Sequence, residues 1–414
     1  MRLNCLCIAA WLLMVTSHLC GQPYQVVIKG GHVIDPKNNI DGFRDVAINA
    51  DTIALISVDI KKEEGRQVID ATGLYIVPGL IDLHAHNFFG TLDHHYLSNG
   101  YEAISPDGFT FRCGVTTTVD AGGAGWRNFE TFKEQVIRHS KTRVLSFLNI
   151  VGEGMRGGVY EQNLNDMDAK LTSIVARQNK DIVGIKVAHY SGDEWEPVDR
   201  AIEAAKKARI PVMVDFGSSL PPLSLEELVL NRLRSGDIFT HAYASVSGRV
   251  PLVNNEGVIL PFIWEAQRKG IIFDVGHGGS SFLFAQAASA MKLGFFPNTI
   301  STDIHAMSIN GAMKDLNNVM SKFLNLGMPF QQVIKSVTWA PAQVIQRTDL
   351  GHLSPGAIAD VALFRIREGR FGFVDTGGYR LDGTQKIECE LTIRAGKIEY
   401  DLNGISRPVW VQKK

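Results

Sequence analysis

The sequence has 414 residues, which is long enough for one large domain and a smaller one. With 45% hydrophobic and 21% charged residues, its composition is that of a globular protein and not of a disordered chain. The formal net charge is −1, and no block of the sequence is rich in lysine and arginine. The composition therefore gives no sign of electrostatic binding to nucleic acid or to an anionic membrane surface.

Residues 1–21 have the pattern of a signal peptide. Arg2 supplies the positive start, and the apolar run 6–15 is too short to span a bilayer. Cleavage after the small residue Gly21 predicts an exported protein, periplasmic or secreted, with no membrane span. Lipid attachment at Cys20 is the alternative, which the residues before it disfavour because they do not fit a lipobox.

The same alternating pattern occurs at both ends of the remaining chain, in 22–78 and 346–414. Short segments that alternate apolar and polar residues, such as 24–31, 45–49 and 360–364, are typical of strands. We therefore expect both ends to pair into one small β-sandwich, with 79–345 inserted as a second domain.

The inserted segment alternates strand-like and helical patterns. Eight strands are predicted to end near His86, Asp120, Ile150, Val187, Phe216, His241, Gly276 and Ile304. Helical patterns such as 198–208 lie between them, so the fold class is α/β and the prediction is a (β/α)8 TIM barrel. In that fold, active-site residues project from the carboxyl ends of the strands.

The first of these strands ends in two histidines. His84 and His86 follow the apolar run 79–83, and residues two apart in a strand lie on the same face. Two neighbouring polar rings do not stabilise a buried strand unless a partner binds them, and a metal ion is the commonest such partner.

Polar side chains also interrupt or end later strands. Lys186 lies inside the apolar strand 184–187, where a buried ammonium is expensive. We predict that Lys186 loses its proton and adds carbon dioxide, giving a carbamate whose two oxygens bridge two cations. The alternative is a lysine that reaches solvent at the barrel mouth. His241 and Asp303 end two further strands and are predicted as metal ligands.

The chemistry that fits this set is hydrolysis at a metal. Zinc lowers the pKa of a bound water to about 7, which makes hydroxide available near neutral pH. Asp303 is the predicted catalytic residue, because a carboxylate beside the ion can take the proton and return it to the leaving group.

These residues resemble the amidohydrolase superfamily over essentially the whole mature chain. The motif 78–86 is the one with which that superfamily begins its barrel. More narrowly, 114–117, 274–282 and 300–305 are similar to its deacetylase-type metallohydrolase branch, which is related to dihydroorotases.

The resemblance implies a barrel with one or two divalent metals. It places His84 and His86 at the more buried ion, carboxylated Lys186 between the ions, and His241 at the second ion. It also makes Asp303 both a ligand and the proton shuttle.

One position departs from the family pattern. The fifth strand of this branch ends in a histidine that binds the second metal, but here 211–214 leads to Asp215. Aspartate binds zinc through oxygen at about 2.0–2.2 Å, and an oxygen donor also favours Mn2+ or Fe2+. Asp215 is therefore predicted as a ligand, with loss of the second metal as the alternative.

Residues in the loops after the strands are predicted to contact substrate. His277 and Gly279 lie in a glycine-rich loop, where the lack of side chains lets a ligand approach the backbone. His189 and Trp195 follow the lysine strand and are predicted to form a pocket wall. The alternatives are a tight turn for the first pair and ordinary aromatic packing for Trp195.

The predicted function is hydrolysis of an amide or ester bond of a small acylated compound through a metal-bound hydroxide, with deacetylation first. A dihydroorotase-like cyclic amide hydrolase is the alternative. Typical dihydroorotases carry a carboxylate-binding arginine two residues after the second histidine, whereas this chain has Asn87 and then Phe88. A barrel that has lost its metals is the third reading. The sequence leaves the oligomeric state open, a homo-oligomer included.

Overall fold

The computed structural model describes residues 22–88 and 103–411. Their strands form two sheets, one of eight strands and one of seven. The signal peptide predicted for 1–21, and with it Cys20, lies outside the described residues. Within those ranges, no helix combines the length and the apolar character that crossing a bilayer requires.

The strands of the described residues follow one another in chain order. They are β1 (Tyr24–Asp35), β2 (Ile40–Asn49), β3 (Thr52–Ser57), β4 (Gly65–Asp70), β5 (Tyr75–Pro78), β6 (Leu80–Ala85), β7 (Val115–Gly125), β8 (Arg143–Asn149), β9 (Ile182–Val187), β10 (Val212–Val214), β11 (Ile238–Phe239), β12 (Ile272–Phe273), β13 (Val361–Val374), β14 (Arg380–Arg394) and β15 (Lys397–Asp401).

The α-helices of the same residues lie mainly between the strands of the seven-stranded sheet and after it. They are α1 (Phe129–Phe132), α2 (Ala169–Gln178), α3 (Glu196–Ala208), α4 (Pro261–Lys269), α5 (Phe284–Lys292), α6 (Leu316–Asn325), α7 (Phe330–Val337) and α8 (Trp339–Val344). Two π-helical segments, Lys133–Ile137 and Glu227–Arg232, occupy further connections.

The eight-stranded sheet is built from both chain ends. Its order is β15-β14-β13-β5-β1-β2-β3, and β4 pairs with the start of β1. The ends join directly where Val361 of β13 lies opposite Pro78 of β5. One buried apolar cluster contains Val26 and Ile48 from the first end and Leu391 from the second. The prediction that both ends pair into one small β domain is confirmed, and where a β-sandwich was expected its strands belong to a single hydrogen-bonded sheet.

The seven-stranded sheet is parallel and runs in sequence order from β6 to β12. It closes through the short segment 299–304, in which Thr299 bridges to Asp274 and Ile304 bridges to Ala85 of β6. This segment is the eighth strand, so the predicted barrel is confirmed.

One strand differs in length from the prediction. The sequence favours an end near Asp120, but β7 continues to Gly125, which pairs with Asn149 of β8. A side chain at Gly125 would place its Cβ 1.9 Å from the Val151 carbonyl oxygen. The strand continues because glycine lets two backbones approach at this point, a contact that no local pattern encodes.

Close packing inside the barrel gives a stability prediction. A Cβ on Gly184 of β9 would lie 2.2 Å from Cδ1 of the buried Phe147 of β8. We expect Gly184→Ala to lower the free energy of unfolding by about 1–3 kcal/mol, measured by urea unfolding, because overpacking forces the ring aside. Gly108→Ala is the control, since nothing lies within 4 Å of a Cβ there. Equal free energies of unfolding for the two variants would contradict the predicted steric conflict with Phe147.

Candidate metal centre

Donor atoms from distant parts of the chain meet at the carboxyl ends of the barrel strands. One nitrogen or oxygen from each of His84, His241 and Asp303 lies within 4.8 Å of the other two, and all three residues are buried. His84 is in β6, His241 follows β11, and Asp303 is in the closing segment. The fold therefore brings these three predicted ligands together.

Asp303 lies between the two histidines of β6. Its Oδ1 is 2.8 Å from His86 Nε2 and 3.3 Å from His84 Nε2. Burial opposes ionisation of Asp303, but the hydrogen bond and charge of His86 outweigh it and hold the pKa of this carboxyl below its usual range. Asp303 is therefore a carboxylate at neutral pH, which suits both metal binding and proton acceptance.

The hydrogen bond at Nδ1 of His84 determines which ring nitrogen carries the lone pair. Thr240 donates its hydroxyl proton to Asp274 Oδ2 at 2.8 Å, so its oxygen accepts from His84 Nδ1 at 2.9 Å. This leaves the lone pair of His84 on Nε2, facing Asp303. Burial also lowers the pKa of His84 well below its usual value, which keeps the ring neutral.

Lys186 is buried next to the same ring. It is 1% exposed, and its Nζ lies 3.4 Å from His84 Nε2. Within the described residues Lys186 makes no ion pair, and burial lowers the pKa of its ammonium. Space for its stem comes from Gly122, where a Cβ would lie 2.7 Å from Lys186 Cγ.

His241 and Asp215 form the other side of the centre. His241 Nδ1 donates to the Gly276 carbonyl at 2.6 Å, and its Nε2 lies 3.6 Å from Asp215 Oδ2. Although burial opposes it, the charges of His241 and His189 lower the pKa of Asp215 to about 2.

Two of the proposed ligands have strained backbones. His241 has φ 55° and Asp303 has φ 50°, in the left-handed region that side chains other than glycine rarely adopt. Such strain persists where the surrounding structure imposes it, and it clusters at functional sites.

The donor set and its spacing fit a divalent metal. Zinc bonds of about 2.0–2.1 Å in a tetrahedral site place neighbouring ligand atoms about 3.3–3.4 Å apart. The separation of 3.3 Å between His84 Nε2 and Asp303 Oδ1 matches that spacing. Buried imidazoles and a carboxylate with outer hydrogen bonds already made are also the donors that zinc prefers.

The residues predicted to contact substrate lie in different environments. His277 is fully buried, its Nε2 is 2.7 Å from Lys322 Nζ, and its ring stacks on Phe282 with centroids 4.5 Å apart. Gly279 is exposed, and a Cβ there would lie 3.6 Å from His305 Cε1.

The other two predicted contacts follow β9. The Trp195 ring is parallel to Phe216 with centroids 5.8 Å apart, as packing alone would give. His189 Nε2 lies 3.4 Å from Asp215 Oδ2, so His189 is the member of this group that approaches a predicted ligand. Substrate contact by all four residues stays a prediction.

Several polar residues around the centre were missed by sequence reasoning. Asp274 accepts hydroxyl hydrogen bonds from Thr240, Thr299 and Ser301. Its signal was available, because an acidic residue directly after an apolar strand is unusual. Glu161, which accepts a hydrogen bond from His189, lies in the short 3-10 helix Gly158–Gln162, and no pattern in the neighbouring sequence marks it.

The hydroxyl of Thr240 provides a test of how His84 is oriented. Thr240→Val keeps the shape but removes the acceptor for His84 Nδ1 and the donor to Asp274. We expect divalent-metal affinity to fall by about 10–100-fold, as it does when outer hydrogen bonds to ligands are lost. Competition with a chromophoric chelator measures this. Thr240→Ser should bind metal like the parent, and equal affinity of Thr240→Val would contradict the orienting role.

The chain is similar in sequence to curated deacetylases over most of its length. No protein-family profile matches it. A deacetylase from Brucella anthropi is 35% identical over 347 residues, covering 82% of this chain and 83% of the relative. A deacetylase from Enterococcus faecalis is 30% identical over 388 residues, covering 91% and 99%.

The chain also superposes on solved structures over most of its length. The crystal structure of an adenine deaminase superposes with a TM-score of 0.81 at 29% identity, covering 91% of this chain and 100% of that one. The crystal structure of a dihydroorotase gives a TM-score of 0.76 at 28% identity, covering 90% and 98%.

Proposed function

The chain belongs to the amidohydrolase superfamily, in its deacetylase branch, and from this premise we propose that it hydrolyses the amide or ester bond of a small acylated compound, with deacetylation as its first activity. The observation that carries the proposal is the convergence of His84, His241 and Asp303 within 4.8 Å of one another at the barrel mouth.

We propose that zinc is the resident metal, with Mn2+ or Fe2+ as substitutes. His84, His86 and Asp303 would hold the more buried ion, and His241 with Asp215 would hold a second one. A divalent ion bound there polarises the substrate carbonyl and makes water nucleophilic near neutral pH.

Lys186 enters the site as its carbamate in this proposal. The neutral Nζ adds to the carbon of carbon dioxide, a new N–C bond forms, and the amine proton is lost to solvent. The product carries a negative charge on two oxygens, which suits cations on either side. Three observations support this proposal. Lys186 is buried, it lies beside His84, and within the described residues it makes no ion pair.

Asp303 moves the proton. Its side chain is 12% exposed, so one edge of the carboxylate faces the barrel mouth while His86 holds Oδ1. As an ionised group it accepts a proton from the attacking water and then returns it to the departing amine or alcohol. The surrounding side chains are buried, which excludes bulk water and strengthens these interactions.

Substrate would bind at the loop that follows β12. Gly279 is exposed at the barrel mouth, and its backbone can approach a ligand because no side chain intervenes. A Cβ on the neighbouring Gly278 would lie 2.3 Å from Asp303 Oδ2, so this loop packs directly against the proposed proton shuttle. We propose His277 and Trp195 as supports of the pocket wall.

The dihydroorotase-like alternative lacks a carboxylate-binding cation after the second histidine. Asn87 is buried and donates to the Ile104 carbonyl, and Phe88 is buried against Phe132 with ring centroids 4.8 Å apart. Neither side chain can pair with a substrate carboxylate, which is why we place deacetylation first.

A substrate panel tests the proposed function. The purified mature protein is loaded with zinc or manganese in separate samples and is assayed against N-acetyl amino acids, O-acetyl compounds and dihydroorotate. We expect metal-dependent release of acetate from the acetylated compounds. Turnover of dihydroorotate alone would reverse the order of the two activities, and a protein that binds no divalent metal would support the metal-free reading.

A further inference from the structure

We propose that Lys322 is a positioning residue that acts through the ring of His277 and turns the Gly279 N–H outward as a hydrogen-bond donor to the substrate. The oxygen it binds is one other than the carbonyl oxygen of the cleaved bond. The substrate class is then an acylated compound with a second acceptor oxygen, such as the carboxylate of an N-acetyl amino acid. The proposal rests on the proposed function, because it describes how the same site selects its substrate.

Lys322 is a buried lysine without a carboxylate partner. It lies on α6 with 0% of its surface exposed, and within the described residues it forms no ion pair. Its Nζ donates to the Ala312 carbonyl at 2.7 Å and lies 2.7 Å from His277 Nε2. Ala312 belongs to the connection after the closing segment 299–304, so Lys322 joins that connection to the loop after β12. Burial lowers the pKa of Lys322 to about 7, and both the amine and the ammonium have the N–H groups that these contacts need.

The hydrogen bonds of His277 run in one direction. A carbonyl oxygen can only accept, so the contact of 3.0 Å between His277 Nδ1 and the Gly278 carbonyl places the ring proton on Nδ1. Burial and the charge of Lys322 lower the pKa of His277 well below its usual value, so the ring is neutral and Nε2 keeps a lone pair. Lys322 donates to that lone pair. The amine therefore fixes the Gly278 carbonyl through the imidazole.

Packing holds the His277 ring in the same orientation. The ring stacks on Phe282 with centroids 4.5 Å apart and planes at 16°. Phe282 is held by Thr376, in the turn between β13 and β14, whose backbone N–H donates to the Phe282 carbonyl at 3.0 Å. The helix that carries Lys322 is attached to β14, because Asn325 Nδ2 donates to the Gln385 carbonyl at 2.7 Å. The sheet of both chain ends thus supports the ring and the amine together.

The peptide between Gly278 and Gly279 presents an unused donor. The carbonyl and the N–H of a trans peptide point in opposite directions, so a Gly278 oxygen held by His277 turns the Gly279 N–H away from that ring. Within the described residues this N–H donates to no other group. Gly279 is exposed, and it has no side chain to cover its backbone. The N–H is therefore available to a ligand.

This donor lies beside the proposed proton shuttle. A Cβ on Gly278 would lie 2.3 Å from Asp303 Oδ2, and the Gly278 N–H donates to the Thr302 carbonyl at 2.8 Å. The proposed function assigns the carbonyl oxygen of the cleaved bond to the metal, which leaves the Gly279 N–H for a second oxygen. A carboxylate is the strongest acceptor for such an N–H, because charge-assisted hydrogen bonds are about twice as strong as neutral ones.

Kinetics on paired substrates test the positioning role. Lys322→Met keeps an apolar side chain in the buried space but removes both donors, and Lys335→Met removes an exposed lysine on α7 as the control. For an N-acetyl amino acid, we expect Lys322→Met to raise KM about 10–100-fold with kcat unchanged, the effect of losing a hydrogen bond to a charged group. For the N-acetyl amine that lacks the carboxylate, KM should stay at the parent value. Equal losses on both substrates would make Lys322 a structural residue and overturn the proposal.

A double-mutant cycle separates a relay from two independent effects. His277→Leu removes the ring that links Lys322 to Gly278, so its KM for the N-acetyl amino acid should rise by a similar factor. Because both changes break the same chain of hydrogen bonds, the double variant should be no weaker than the single variants. Increases in KM that multiply would contradict the relay.

Two measurements on the parent keep the test decisive if the variants fold poorly. Nitrogen NMR spectra with labelled histidine should show His277 protonated on Nδ1 and unprotonated on Nε2. Zinc-loaded crystals soaked with the amino acid product should place a carboxylate oxygen about 2.9 Å from the Gly279 nitrogen. A His277 ring protonated on Nε2, or a bound product with no oxygen at the Gly279 nitrogen, would refute the proposed geometry.

The outcomes separate this proposal from the proposed function. A parent that releases acetate from acetylated compounds, together with a folded Lys322→Met of parent-like KM, overturns the positioning role and leaves the hydrolase intact. A parent that cleaves no acylated compound contradicts the proposed function, and the substrate contact of Gly279 with it.

Discussion

Asp303→Asn is expected to lower kcat by about 10²–10⁴-fold, the usual range for loss of a general acid–base group. The amide keeps the size and the contact with His86, but it cannot accept the proton from water or return it to the leaving group. Because the change removes an interaction of the transition state, kcat should fall more than KM rises. Steady-state assays on the best acetylated substrate of the panel measure both constants.

A carboxylate elsewhere in the chain controls for the loss of charge. Asp193 is exposed in the connection between β9 and α3, so Asp193→Asn should leave kcat unchanged. Circular dichroism should show that both variants are folded. Parent-like kcat in a folded Asp303→Asn would remove Asp303 from the mechanism.

Lys186→Met is expected to abolish measurable activity and to weaken metal binding by more than the roughly 10–100-fold that outer hydrogen bonds contribute. Methionine fills the buried space beside His84, but it carries no nitrogen and cannot form a carbamate. Metal content and acetate release should therefore fall together. In the parent, labelled bicarbonate should add a carbonyl signal to the 13C spectrum that Lys186→Met lacks.

An exposed lysine supplies the matched control. Lys206→Met on α3 should keep the parent's metal content, activity and carbonyl signal. If Lys186→Met retained full activity and metal, Lys186 would be only a packing residue.

The fold could be predicted because its signals are local. Each barrel strand is a short apolar run between helical patterns, as in β9, and right-handed connections leave few ways to arrange such units. The site positions followed from the same signals. A histidine or carboxylate directly after an apolar strand needs no distant information to be noticed, and parallel strands bring their carboxyl ends to one rim.

The partners of those residues could not be predicted in this way. Thr240 lies 156 residues from the ring of His84 that it orients, and Lys322 lies 45 residues from His277. Glu161 is in the short 3-10 helix Gly158–Gln162, and its hydrogen bond to His189 depends on how the connection between β8 and α2 is placed beside the end of β9. Loop conformation is not periodic, so no pattern in the sequence marks these contacts.

The sequence by itself determined the class of fold and predicted the candidate donors, since strand and helix periodicity and the residue that ends each strand are properties of neighbouring positions. Only the tertiary structure decided how the donors are oriented and which of them share a cation-sized space. His189 shows the difference: in the sequence it is one polar residue after a strand, and in the fold its ring lies between Glu161 and Asp215. The physical reason is that ring orientation depends on hydrogen bonds between segments that meet only when the barrel closes.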